Sequence, residues 1–177
     1  MIRGFNILLV SIIAVGLATV SSLSVPVVRA STLPVLTQQP TEINCYEANL
    51  NDVVETVNAA IDLMVNQGAD IAFRQLMDPS GGFVKGDLYV FVLDFQGVIL
   101  AHGAEPRAVG ASALESRDRN GHYFIRDMLS QAATRGDGWI GYHMVSPCTD
   151  KLALKQVFFK RAGAFVVGAG FYSHLGS

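Results

Sequence analysis

The chain has 177 residues, of which half are hydrophobic and 16% are charged, and its formal net charge is -2. This length suffices for one domain with a substantial core, and the composition excludes an intrinsically disordered chain. No cluster of lysine or arginine residues is present. Nucleic-acid binding therefore lacks electrostatic support, and we predict no nucleic-acid partner.

The first 30 residues have the features of a secretory signal peptide. Arg3 supplies a short positive region, an apolar stretch runs from Phe5 through Val20, and small residues precede a cleavage site after Ala30. We expect residues 1–30 to be removed and the mature protein to be periplasmic or secreted. The alternative is an uncleaved helix that anchors the protein to a membrane, because the apolar run approaches the roughly 17–25 residues that span a bilayer.

The segment that follows separates this leader from the folded part of the chain. Residues 31–44 are rich in proline, threonine and glutamine and lack periodicity, which predicts a flexible leader before one domain at residues 45–177. The two cysteines, Cys45 and Cys148, favour a disulfide in an exported protein. The alternative is a pair of free thiols.

Helical periodicity marks three segments. Apolar residues at three- and four-residue spacing predict a long N-terminal helix that begins near Asn51 or Asp52. Its apolar face consists of Leu50, Val53, Val54, Val57, Ile61 and Met64. Gly68 interrupts the pattern, and a short second helix is predicted over residues 69–77. A third helix is predicted from about residue 122 to residue 135.

Five apolar runs predict strands. The first two, Leu88 to Leu93 and Val98 to His102, are joined by a tight turn that contains Gly97. An irregular stretch over residues 103–120 is predicted to be a long loop, with one helical turn near Leu114. The last three strands are Trp139 to Met144, Leu152 to Lys160 and Ala164 to Tyr172. Their short connections predict antiparallel neighbours, and hence an α+β fold with one antiparallel sheet of about five strands and a helical crossover.

Several motifs, in this order and spacing, resemble the single-Cache extracytoplasmic sensor domain of type 2. They are Gly-Gly-Phe83 through Asp94, Leu-Ala-His102, Val-Gly110, Gly-Trp139-Ile-Gly-Tyr142 and the closing Val-Val-Gly-Ala-Gly-Phe-Tyr172. The resemblance covers residues 45 to 172. It implies a PAS-like fold with a long N-terminal helix, and binding of small organic ligands, often short carboxylates, on one side of the sheet.

The chain departs from that family pattern in two respects. Such domains usually lie between two membrane helices of a chemoreceptor or histidine kinase, whereas this sequence shows no second such helix and no signalling domain. We therefore expect a stand-alone domain that passes its signal to a separate membrane receptor or kinase. In addition, Gly103 replaces a proline that is frequent in the family, and Phe158 replaces a tyrosine whose hydroxyl could bind a ligand.

Six residues are candidates for ligand binding: Tyr89, Phe91, His102, Trp139, Tyr142 and Lys155. Lys155 stands in an otherwise apolar strand, where a charge is unfavourable unless an anion accompanies it; the alternative is a strand-edge lysine with its ammonium in water. His102 could donate hydrogen bonds or be a satisfied structural histidine. Phe91 is a wall or a core residue. Trp139 and Tyr142 differ by an odd number, so they face opposite sides of a regular strand unless a bulge near Gly141 intervenes, and at least one of them is core.

Metal, cofactor and catalytic motifs are not recognised. The histidines at positions 102, 122, 143 and 174 lack zinc-ligand spacing. Residues 118–121 resemble the start of a calcium loop without its closing glutamate. No nucleophile elbow, phosphate-binding loop or dinucleotide fingerprint is present. We therefore predict no metal, no cofactor and no enzymatic activity.

These inferences predict an exported Cache-domain protein that reversibly binds a small organic ligand, with a short carboxylate favoured, in a sensory or ligand-capture role. The alternative is a protein-interaction module. In that case the PAS-like fold would be only a scaffold, and its pocket would be filled by the protein's own side chains.

Overall fold

The structure of the protein is a computed structural model that describes residue 45 and residues 48–173. The predicted signal peptide at residues 1–30, its cleavage site and the leader at residues 31–44 lie outside the described residues. Within the described part of the chain, no helix combines the length and the apolar character needed to cross a membrane.

The N-terminal helix, α1, spans Leu50–Gln67, and a second helix, α2, spans Ala69–Met77. The side chain of Asn49 accepts hydrogen bonds from the backbone N–H groups of Asn51 and Asp52, and the Asp52 carboxylate accepts one from the N–H of Asn49. This reciprocal capping box fixes the start of α1 one to two residues earlier than predicted.

The sheet contains six antiparallel strands, one more than predicted. The strands are β1 (Val84–Lys85), β2 (Leu88–Asp94), β3 (Ile99–His102), β4 (Asp137–Val145), β5 (Leu152–Ala162) and β6 (Phe165–Ser173). Their order is β1-β2-β6-β5-β4, and β3 pairs with β2 beside β1. The predicted antiparallel arrangement of the last three strands is confirmed. The additional strand, β1, has only two residues.

Helices cover the two faces of the sheet. On one face, α1 and α2 bury Val53, Val57 and Leu76 against the even-numbered residues of β2. On the other face, α3 (Phe124–Arg135) packs over β4 and β5. Because β2 contributes buried side chains to both faces, its continuous apolar run is explained.

The connection between β3 and α3 forms part of this second layer. It contains one turn of 3₁₀ helix at Pro106–Ala108 rather than near Leu114. The Asp118 carboxylate accepts hydrogen bonds from the backbone N–H groups of Asn120, His122 and His143. The bond from His143 fastens the connection to β4.

The predicted disulfide joins Cys45 to Cys148, with their Cα atoms 5.9 Å apart. The loop between β4 and β5 carries Cys148, and the buried carboxylate of Asp87 holds this loop. Asp87 accepts hydrogen bonds from the Ser146 hydroxyl at 2.6 Å and from the Cys148 backbone N–H at 2.9 Å. The segment before α1 is thus covalently attached to the sheet.

Candidate functional site

A cavity of about 110 Å³ lies between the sheet and the layer formed by α3 and its preceding connection. Its wall contains Tyr89, Phe91, Leu93, Ile99, His102, Ala113, Ser116, Phe124, Ile125, Tyr142, Met144 and Lys155. Tyr89, His102 and Lys155 contribute polar groups to this wall, whereas the rest of it is mostly aliphatic and aromatic. A concave, mainly apolar site with a few convergent polar groups is typical of small-molecule binding.

Lys155 is the buried cation of this cavity. Its side chain is only 1% exposed, which rules out the predicted alternative of a solvent-exposed ammonium. The Nζ atom lies 3.7 Å from the centre of the Tyr89 ring and 5.2 Å from that of Tyr172. No acidic side chain forms an ion pair with Lys155 within the described residues. In that part of the chain, the charge of this ammonium is therefore compensated by aromatic faces.

His102 is held as a neutral donor. Its Nδ1 atom accepts a hydrogen bond from the backbone N–H of Glu105 at 2.9 Å, which assigns the ring proton to Nε2. Burial, followed by the nearby charge of Lys155, lowers the pKa of His102 from 6.5 to about 4. At neutral pH this ring can therefore offer one N–H to a group in the cavity.

Two tyrosine hydroxyls near Lys155 are also kept neutral. Burial, followed by the neighbouring Tyr89, raises the pKa of Tyr142 far above its ordinary value. Burial and then Tyr89 likewise raise the pKa of Tyr172, whose hydroxyl donates to the Val145 carbonyl at 3.1 Å. The Tyr142 ring stacks on Phe124 with their centres 3.8 Å apart, which joins β4 to α3 at the cavity wall.

Five of the six predicted ligand-binding residues line this one cavity: Tyr89, Phe91, His102, Tyr142 and Lys155. The sixth, Trp139, does not line this cavity. β4 pairs with β5 in continuous register, without the bulge that would bring Trp139 and Tyr142 to the same face. Trp139 instead lies against Phe158, 40% exposed and away from the cavity.

Sequence reasoning missed the part of the wall that comes from the second layer. Ser116 adds a hydroxyl from the connection before α3, and Phe124 and Ile125 add apolar surface from the first turn of the helix. Phe124 and Ile125 lie in the predicted third helix, but periodicity did not assign them to a ligand site. For Ser116 the length of the connection was the only sequence signal, because its residues show no periodicity.

Metal binding has no support from the side-chain geometry of the described residues. No group of three histidine, cysteine, aspartate or glutamate side chains converges there. The predicted resemblance of residues 118–121 to a calcium loop has a different explanation. Asp118 accepts backbone N–H groups in a local turn, so its carboxylate is already satisfied by the fold.

Comparison with known proteins identifies the fold family. A sequence model of the family described as single Cache domain 2 matches residues 47–173. The chain belongs to this family. The predicted resemblance is thereby confirmed, and the PAS-like α+β architecture is that of a Cache domain. Comparison with curated proteins finds no match.

Solved structures share the architecture of this Cache domain at low sequence identity. A methyl-accepting chemotaxis protein from Vibrio parahaemolyticus is 23% identical, with a TM-score of 0.57 over 67% of this chain and 82% of that one. A structure titled for carboxylic acid recognition by a Cache chemosensory domain is 17% identical, with a TM-score of 0.58 over 69% and 91% of the two chains. A periplasmic sensor domain of a chemotaxis protein is 22% identical, with a TM-score of 0.51 over 67% and 86%. At these identities, the similarity concerns the fold.

Proposed function

We propose that this Cache domain binds a short carboxylate reversibly in the cavity beneath α3, with Lys155 as the counter-charge and without chemical conversion of the ligand. In this arrangement, the Nε2–H of His102 and the hydroxyl of Tyr142 donate to the carboxylate. The apolar wall formed by Leu93, Ile99 and Met144 receives the short hydrocarbon tail.

The observation that carries this proposal is the buried ammonium of Lys155. Moving such an ion out of water carries a penalty of several kcal/mol even after the protein relaxes. A desolvated cation–π contact offsets about 2 kcal/mol of that penalty. The nearest ring, Tyr89, therefore compensates Lys155 only in part, and a carboxylate in the adjoining cavity supplies the remaining compensation as a charge-assisted hydrogen bond.

The cavity volume limits the size of the ligand. A cavity of about 110 Å³ favours a ligand of a few heavy atoms over a large one. Short carboxylates belong to this class of ligand. One structural neighbour, a Cache chemosensory domain described for its carboxylic acid recognition, supports the same ligand class.

The cellular setting is part of the proposal. An exported Cache domain would encounter its ligand outside the cytoplasm, and the Cys45–Cys148 disulfide suits such an oxidising compartment. The binding event would then be passed to a separate membrane receptor or kinase, or would serve to capture the ligand.

The test is a calorimetric titration of the exported domain, after denaturation and refolding to remove any bound molecule. Acetate, propionate, butyrate and lactate are the anionic probes, and acetamide and propylamine are the neutral and cationic ones. We expect saturable binding of at least one acid and none of the amide or amine. Failure of every acid to bind at millimolar concentration would contradict the proposal.

A pair of lysine variants locates the site. Lys155→Met should abolish acid binding because it removes the counter-charge and preserves an apolar stem of similar length. Lys160→Met is the matched control, since Lys160 belongs to the same strand but bonds to Asn58 of α1 on the opposite face. Equal loss of binding in both variants would assign the acid to another site.

A further inference from the structure

Two glycines on the cavity side of β6 allow large side chains from the neighbouring strands to lie across it. Gly168 pairs with Phe91 of β2, and Gly170 pairs with Tyr89 of the same strand. Neither glycine is among the described residues with positive φ, so the backbone itself does not require glycine at these positions. Glycine is required at these positions because other side chains occupy the space above them.

Hypothetical Cβ atoms placed on the two glycines show which side chains occupy this space. A Cβ on Gly168 would lie 2.4 Å from Cζ of Phe91 and within 2.9 Å of both of its ε carbons. A Cβ on Gly170 would lie 3.0 Å from Cε of Lys155, as well as 2.6 Å from the Gln156 carbonyl oxygen. The wall residue Phe91 thus rests on Gly168, and the stem of Lys155 passes over Gly170.

We propose that Gly168 is a specificity-determining residue that sets the depth of the cavity through Phe91, an inference that rests on the proposed function for its ligand. Carbon atoms in van der Waals contact are about 3.5–4.0 Å apart. A methyl group at position 168 would therefore displace the Phe91 ring by about 1 Å or more, away from the sheet. Since the cavity lies on that side of the ring, its volume decreases, and the longest accepted acid is excluded first.

The experiment compares Gly168→Ala with wild type by calorimetric titration of acetate, propionate, butyrate and valerate. We expect affinity for the longest acid that wild type binds to fall at least tenfold, with a smaller change for the shortest. Gly141→Ala is the matched control, because a Cβ at this β4 glycine meets nothing closer than 3.6 Å. The control should keep the wild-type preference. An unchanged length preference in Gly168→Ala would overturn the proposal.

The double variant Gly168→Ala with Phe91→Leu tests the contact itself. The smaller side chain leaves room for the added methyl group, so binding of the longer acid should return. If the single variant fails to fold and the double variant folds, the conflict is between these two side chains, as proposed. If neither folds, the added methyl group conflicts with other atoms, and the proposal is wrong.

Crystal structures of unliganded wild type and Gly168→Ala separate this inference from the proposed function. We expect the Phe91 ring to move toward α3 and the cavity to shrink below its wild-type volume of about 110 Å³. This result would support the role of Gly168 even if wild type bound none of the acids. The absence of acid binding would refute only the proposed ligand class. An unmoved ring would overturn the role of Gly168 even if wild type bound every acid.

Discussion

Acidification should destabilise this domain through His102. Burial and the neighbouring Lys155 hold the pKa of His102 at about 4 in the folded protein, against 6.5 for an ordinary histidine. Between these two pH values the unfolded chain binds a proton at this position and the folded chain does not. Stability therefore falls as the pH decreases from 6.5 toward 4, and the contribution of His102 is constant above and below this interval.

The size of this effect follows from the two pKa values. Each pH unit between them corresponds to about 1.4 kcal/mol, so the complete loss is about 3 kcal/mol. From pH 7 to pH 5 the linkage relation gives a loss of about 2 kcal/mol from His102 alone. This is a large part of the 5–15 kcal/mol of stability typical of a domain.

The assay is urea denaturation at pH 7, 6 and 5 in buffers that contain no carboxylate. Wild type is compared with His102→Gln, in which the amide retains hydrogen-bonding capacity but cannot titrate. The difference between the two slopes isolates His102, since the two proteins are otherwise identical. We expect wild type to lose about 2 kcal/mol more than the variant between pH 7 and pH 5. Parallel pH profiles would refute the assigned burial of His102.

Three further predictions concern the end of β4 and the loop after it that carries Cys148. Reduction of the Cys45–Cys148 disulfide, whose partners are 103 positions apart, should lower the free energy of unfolding by about 4–5 kcal/mol, as measured by urea midpoints with and without reductant. Asp87→Ala should lower it by about 3 kcal/mol, because the buried Ser146 hydroxyl and the part-buried Cys148 N–H lose their charged acceptor; an effect below 1 kcal/mol would contradict this role. Tyr172→Phe should lower it by about 1 kcal/mol through loss of the bond to Val145, and a neutral result would assign that hydroxyl to solvent.

The fold could be predicted where local pattern and tertiary environment agree. Of the periodic apolar residues of α1, Val53, Val57 and Met64 are buried, whereas Leu50 at the start of the helix is exposed. The short connections of β4, β5 and β6 produce antiparallel neighbours. β1 could not be predicted in this way. Its two residues, Val84 and Lys85, are too few for an alternating pattern, and they become a strand only because the exposed edge of β2 pairs with them.

The candidate site could be predicted where strand parity applies. Tyr89 and Phe91 alternate on β2, and Tyr142 and Lys155 are direct partners across β4 and β5, so all four reach the same face. The same parity places Trp139 on the opposite face. The prediction that Trp139 binds ligand rests on its chemical character alone, because an indole ring suits a ligand wall as well as a phenol ring does.

The opposite wall of the cavity could not be predicted, and it bears most directly on selectivity. Ser116 comes from a connection whose shape depends on contacts remote in sequence, such as the bond from the His143 N–H to Asp118. Phe124 begins the helix that follows this connection. No periodicity encodes such contacts. The sheet side supplies the cation and the neutral donors, which are suited to carboxylates in general. If the proposed function is correct, discrimination among carboxylates of different length would depend on how closely this wall approaches Phe91, and thus on the segment with the weakest sequence signal.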